Sequence, residues 1–409
     1  MPHHFDIPQF LGVVALALAV AKFAGILAQR FGQPAVLGEL IAGVILGSSV
    51  LGVVDPGSEV LHVLAELGVV LLLFEIGLET DLRKLLQVGG ASAAVAFVGV
   101  LLPFVLGYAV CRMLRTSQEV AVVAGAALTA TSVGITARVL GDLGRLQEPE
   151  SQIVLGAAVL DDILGLVILT VVTGLTQDQA ITVVGVAKVT GIAFGFLLGT
   201  LLIGGMLAQP IMRLADKLDV RALTTMLGVI LALALAWLAD RSGSAMIIGA
   251  FAAGLLLART PQAHEIEKGV AHLGYFFVPL FFVWVGAQVD IRVFNPLDAA
   301  NHQTLWIGGL LIVCAVVGKF LAGYAPFWFR GKKSVIGVGM IPRGEVGLIF
   351  AQMGLSKGIF DERMFSAVTL MVMVTTFLAP PLLKFLLPRS LPMVKPPAPE
   401  GTAAMVTEA

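Results

Sequence analysis

The chain is short of charge. Only 13% of its 409 residues are Asp, Glu, Lys or Arg, against about 25% in soluble domains, which excludes an ordinary water-solvated globule. The few charges nearly cancel, leaving a net charge of -1, so the basic field that a nucleic-acid partner needs is missing. Cysteine is scarce too. Cys111 and Cys314 both fall in apolar runs and read as small packing residues, with no disulfide framework implied. No basic stretch precedes the first apolar run, which starts after Asp6, so that run is expected to stay as a helix and not to be cleaved as a signal peptide. Long polar stretches are also lacking, which leaves no room for a soluble domain. The end of the chain, 389–409, holds Lys395, Pro396, Pro397 and Pro399 and reads as a disordered tail.

What fills the chain instead is apolar: 58% of it is hydrophobic. Runs of about 20 residues suit bilayer spans. Thirteen can be placed, at roughly 7–29, 34–52, 59–78, 88–111, 119–141, 150–175, 181–208, 222–239, 244–259, 270–288, 304–327, 334–355 and 364–387. The expectation is an all-α polytopic protein with 1–409 as a single membrane domain. Sixteen Lys and Arg, from Arg30 to Lys395, fall on one side of it; six fall on the other, Arg112, Arg115, Arg241, Arg292, Lys357 and Arg363. The basic side is expected to be cytoplasmic. An odd span count then puts the N-terminus outside and the C-terminus inside.

The sequence also repeats itself. Gly77, Asp81 and Arg83 end one span, and Gly286, Asp290 and Arg292 end another 209 residues later. Upstream, Gly38 and Gly43 are echoed by Gly249 and Gly254. The Asp81 and Asp290 ends fall on opposite sides, so the repeats are inverted, an arrangement of many secondary transporters. Two spans look broken at corresponding places. One crowds Thr129, Thr131, Ser132, Gly134 and Thr136 at mid-span; the other has Pro342, Arg343, Gly344, Glu345 and Gly347. Proline removes an amide donor, and carbonyls freed at such breaks can hold cations. A blander reading makes the hydroxyls bond back to their own helix and the Arg343–Glu345 pair a self-neutralising kink.

Asp161 and Asp162 stand together in the middle of the sixth span. A carboxylate at that depth costs about 2.5 kcal/mol or more, so two need a cation, a proton, a basic partner or an aqueous cavity. Helical neighbours point about 100° apart, so the two cannot face one partner. Lys319 is also deep in a span and is available to one of them; a purely structural ion pair is the alternative. Adjacent carboxylates on one helix cannot face each other across a water, which argues against an intramembrane aspartyl protease. Further acids spaced for Mg²⁺ are absent around the pair, which argues against an Asp-rich transferase. No enzyme activity and no cofactor are expected. Glu75 either pairs with Arg343 or lines a wet funnel. Glu39, Glu79 and Asp81 read as acids at helix ends, and Lys22 and Lys188 as single snorkelling cations.

Three segments carry a resemblance: 128–140 around Thr131 and Ser132, 155–166 around Asp161 and Asp162, and 340–348 around Pro342 and Arg343. Together they resemble the monovalent cation:proton antiporter-2 family, and within it bacterial sodium/proton antiporters of thirteen helices. The resemblance implies two crossed, unwound helices in a core bundle beside a dimerisation bundle, an elevator-like movement, a homodimer and a place in the inner membrane. On that basis 59–175 and 270–388 are expected in the core, and 7–52 and 181–259 in the scaffold. It makes Asp162 the main ligand of the transported Na⁺ and proton, pairs Asp161 with Lys319, and completes the site with Thr131 and Ser132. Arg343, Glu345 and Glu75 are the supporting charges. It further implies electrogenic exchange of Na⁺, K⁺ or Li⁺ for protons, serving pH homeostasis. A sodium-coupled symporter or a cation channel on a related fold is the alternative.

Overall fold

The computed structural model describes residues 7–176, 188, 190–192, 195–196, 198–204, 223–298 and 301–387. The helices are α1 (Ile7–Arg30), α2 (Ala35–Leu46), α3 (Glu59–Glu79), α4 (Leu82–Gln87), α5 (Gly89–Met113), α6 (Gln118–Ala127), α7 (Val133–Asp142), α8 (Pro149–Thr176), α9 (Leu223–Arg241), α10 (Met246–Leu257), α11 (Ala263–Ala287), α12 (His302–Ala322), α13 (Lys333–Gly339), α14 (Glu345–Ser356) and α15 (Glu362–Leu386). Seven of them are long and apolar enough to cross a membrane. Among the described residues, twelve of the thirteen expected spans appear as helices. The seventh, 181–208, falls largely outside the described residues, as does the 389–409 tail.

Short polar residues fix the helix starts. The side chains of Ser117 and Asp361 accept from Val120 N and Met364 N at 3.2 and 2.8 Å, satisfying amides that have no partner within the helix. Asp81 and Asp290 make matching turns, each accepting from the amide two residues on, Arg83 N at 2.9 Å and Arg292 N at 3.0 Å.

The inverted repeat is built into the packing. A Cβ on Gly38 would lie 2.2 Å from Ala24 O of α1, and one on Gly249 would lie 2.2 Å from Leu235 O of α9. Gly43 meets Gly286 of α11 backbone to backbone, and Gly254 meets Gly77 of α3 in the same way. Only glycine allows such approach. Helices α3 and α11 run antiparallel: the His62 ring lies 4.8 Å from that of Trp284 at one end, and Glu75 lies against Gly274 at the other. Asp81 and Asp290 therefore mark opposite faces of the molecule.

The helices gather into two bundles. The first contains α1, α2, α3, α9, α10 and α11; the second contains α5 to α8 and α12 to α15. This departs from the expected partition, which put 59–78 and 270–288 with the core. The glycine contacts explain the difference, because they bind α3 to α10 and α11 to α2, inside the first bundle. Helix α7 meets α2 and α3 along the seam between the bundles.

Candidate functional site

Helix α8 carries Asp161 and Asp162 on different faces, as a 100° step requires. Asp161 is 2% exposed, while Asp162 is half-buried. Lys319 of α12 is fully buried and reaches both carboxylate oxygens of Asp161, with Nζ 3.2 Å from Oδ1 and 3.1 Å from Oδ2. The lysine stem runs over Gly99 of α5, where a Cβ would stand 3.5 Å from Nζ. The expected Asp161–Lys319 pair is thus present. Two charges sealed from water depend on one another, and removing either strands the other at a cost of about 3–5 kcal/mol.

Both expected breaks are present, and they cross. Helix α6 ends at Ala127 and α7 begins at Val133; α13 ends at Gly339 and α14 begins at Glu345. The two extended stretches bond to each other. Ser132 N donates to Pro342 O at 2.9 Å, Thr131 Oγ1 to Met340 O at 3.4 Å, and Thr136 Oγ1 to Gly339 O at 2.6 Å. Thr129 alone follows the bland reading and bonds back to Ala126 O at 2.8 Å. A Cβ on Gly344 would come within 2.8 Å of Ser132 Oγ, so the crossing needs glycine there. Thr131 and Ser132 are both buried, and α6 and α7 bring their crossing against α8.

Arg343 is where expectation and structure part. It is fully buried, and its guanidinium donates to carbonyls: Leu128 O at 2.7 Å, Ile341 O at 2.9 Å, Met340 O at 3.3 Å and Ala315 O at 3.5 Å. These include acceptors that the broken helices leave without an intrahelical donor. From α15, Thr376 Oγ1 donates to Arg343 O. The expected partnership with Glu75 is not formed. Glu75 sits across the seam in the first bundle, against Gly274, within the field of Arg138. The side chain of Glu345 lies outside the described residues.

A second charged group went unnoticed in the sequence. Arg138 Nε lies 3.3 Å from Asp142 Oδ1 on α7, and the charges of Glu39 and Glu75 act on it from the first bundle. The i, i+4 spacing of Arg138 and Asp142 was a usable signal. Their placement opposite Glu39 was not, since it depends on the seam.

Chemically, the arrangement offers one carboxylate locked to a lysine, a second, half-buried, on the same helix, and a crossing of hydroxyls and carbonyls in the two helices packed on that one. Hard cations take such oxygen ligands. A family model described as "Sodium/hydrogen exchanger, transmembrane" matches residues 16–389. The chain is 41% identical to the "High-affinity Na(+)/H(+) antiporter NhaS3" of Synechocystis sp., over 92% of this chain and 90% of that one. It is 40% identical to the "Na(+)/H(+)-K(+) antiporter GerN" of Bacillus cereus, over 92% and 96%. Its fold matches that of the sodium proton antiporter MjNhaP1 from Methanocaldococcus jannaschii, with a TM-score of 0.68 at 17% identity, covering 92% of this chain and 96% of that one.

Proposed function

Given that the chain belongs to the sodium/hydrogen exchanger family and is a multi-pass cation/proton antiporter, we propose that Asp162 is the group for which Na⁺ and protons compete. The observation that carries this is the division of labour on α8: Lys319 occupies both oxygens of Asp161, and Asp162 is the more exposed of the two acids. Thr131 and Ser132 add neutral oxygens from the crossing. When a cation or proton neutralises the site, the field on Lys319 changes, and the lysine can release its own proton. Exchange is then electrogenic, with Lys319 as the second proton carrier. Glu75 serves the acidic surroundings of the seam, and Arg343 holds the crossing in shape.

Alternating access follows from sliding the second bundle against the first, as an elevator does. The Asp81 face, the more basic one, is cytoplasmic by charge bias, in a bacterial inner membrane. A homodimer forms through the first bundle, whose α1 and α9 present Leu11, Phe23, Met226 and Trp237 outward. K⁺ and Li⁺ are alternative cargo, because selectivity depends on cavity size and ligand field.

The test is ΔpH-driven dequenching in proteoliposomes, with Na⁺, Li⁺ and K⁺ added in turn. The wild type is expected to respond to Na⁺. Asp162→Asn is expected to abolish the response while the protein stays folded. Wild-type exchange by a folded Asp162→Asn protein would overturn the assignment.

A further inference from the structure

The seam carries a second set of charges, away from the ion pair and at the Asp81 face. Arg138 comes from the second bundle, on α7, which packs against α2 and α3 of the first. It pairs with Asp142 on its own helix. One turn earlier on the same helix face, a Cβ on Gly134 would meet Val69 and Leu72 of α3 at 3.5 and 3.7 Å, so Arg138 stands on the side of α7 turned to the first bundle, where the charges of Glu39 on α2 and Glu75 on α3 act on it. Glu39 is 4% exposed, and its Oε2 has no hydrogen-bond partner among the described residues. A carboxylate oxygen left that way is costly unless a cation faces it. Lys22 of α1, Glu79 of α3, and Glu267 and Tyr275 of α11 complete the charged and titratable surroundings.

The inverted repeat supplies an internal comparison. Trp284 takes the place of Glu75, and Gln288 that of Glu79, each 209 positions later. At that opposite end the structure holds a cavity of about 670 Å³, lined by Trp284 and Gln288, with Leu348, Ile349 and Gln352 from α14. That cavity has charged groups too, His62, Glu66 and Asp290, but they come from α3 and the turn after α11, and what the second bundle adds to its lining is uncharged. Symmetric architecture explains the position of both ends. It does not explain why, among the described residues, the second bundle sets an arginine opposite acids of the first at one end and lines the cavity at the other with uncharged side chains.

We infer that Arg138 is a positioning residue for exchange: a charge that the second bundle sets opposite Glu39 and Glu75 of the first, latching the arrangement seen here against the one in which the Asp81 face parts. The latch rests on the two-bundle exchange reading above. Its weight is on the balance between the two end states, so its loss shows in sidedness and not in the chemistry at Asp162. Arg138→Gln favours the parted state, as does Glu39→Gln, because each removes one side of the same interaction.

The experiment measures Na⁺-driven proton flux in proteoliposomes of known orientation, with Na⁺ supplied to either face, for wild type, Arg138→Gln, Glu39→Gln, Arg138→Lys and the Arg138→Gln/Glu39→Gln pair. Each single neutralisation is expected to shift the ratio of apparent KM at the two faces by about 3- to 10-fold, and the double no further, as coupled neighbours do. Arg138→Lys restores most of the wild-type ratio, which a purely steric role would not require. Hydrogen exchange, read on the same proteins without transport, is expected to rise across 35–46 and 133–142 in both neutralised variants. An unchanged ratio in folded Arg138→Gln, or single effects that multiply in the double, overturns the latch and leaves the exchange reading standing. A wild type with no Na⁺-driven flux overturns the exchange reading, and hydrogen exchange still decides the latch.

Discussion

Lys319 and Arg343 are both sealed from solvent in the second bundle, and they are held in opposite ways. Lys319 faces one carboxylate. Arg343 faces four backbone carbonyls. A carboxylate can take a proton or lose its partner to another ion, so the charge on Lys319 is conditional. Carbonyl dipoles do not titrate and a guanidinium keeps its proton, so the charge on Arg343 is permanent, even with the Asp161 charge acting on it across the site. The residue types suit these roles. A buried lysine exchanges its proton readily, whereas a guanidinium stays charged and presents several donors in a fixed fork. A buried charge in a membrane span is therefore not a sign of transport chemistry by itself; its partner decides. The region around Lys319 is built to change, and the crossing around Arg343 is built to hold.

The largest expected effect tests the holding half. Arg343→Met keeps the volume and removes every donor. Four buried carbonyls then lose this partner at about 1–3 kcal/mol each, so the variant should lose more than about 5 kcal/mol of stability and give little monodisperse protein. Thermal unfolding in detergent measures this. A stable Arg343→Met protein with normal exchange would collapse the distinction from one side.

Lys319→Gln tests the other half. It strands Asp161 as a buried, unpaired acid, and it removes the proposed second proton carrier. Stability should fall by about 3–5 kcal/mol, and flux should respond weakly or not at all to an imposed membrane potential. Adding Asp161→Asn to Lys319→Gln should recover much of the stability, since the buried charge is gone, without recovering the voltage response. Recovery of both would make the pair a fastener and nothing more.

The same contrast explains what could be read in advance. The spans, the two breaks and the adjacent aspartates are local features: apolar length, a proline without an amide, hydroxyls and glycines crowded together. Lys319 was legible because a cation and an acid at similar depth have few other solutions. The partners of Arg343 were not, because carbonyl acceptors exist at every residue and no side chain marks which ones a break sets free. An acid such as Glu75 was the visible candidate, yet α3 lies across the seam. That misplacement has one physical source. The repeat was legible, but the contacts that sort helices into bundles are glycine backbones meeting across α2–α11 and α3–α10, and those pairings join residues more than 170 positions apart.

The smallest effect comes from Thr376, which touches Arg343 without contributing charge. Thr376 is 1% exposed, and its hydroxyl shares one proton between Arg343 O and Val372 O, the latter at 2.9 Å. Thr376→Val keeps the shape and leaves the Arg343 carbonyl without that donor, so the crossing should lose about 1–2 kcal/mol. The Asp161–Lys319 pair belongs to α8 and α12 and shares no hydrogen bond with Thr376. Melting temperature should therefore drop while the voltage response stays at the wild-type level and apparent KM for Na⁺ moves by less than about twofold. A shifted voltage response with an unchanged melting temperature would mean that the crossing takes part in the switch, and that the two buried cations act as one unit.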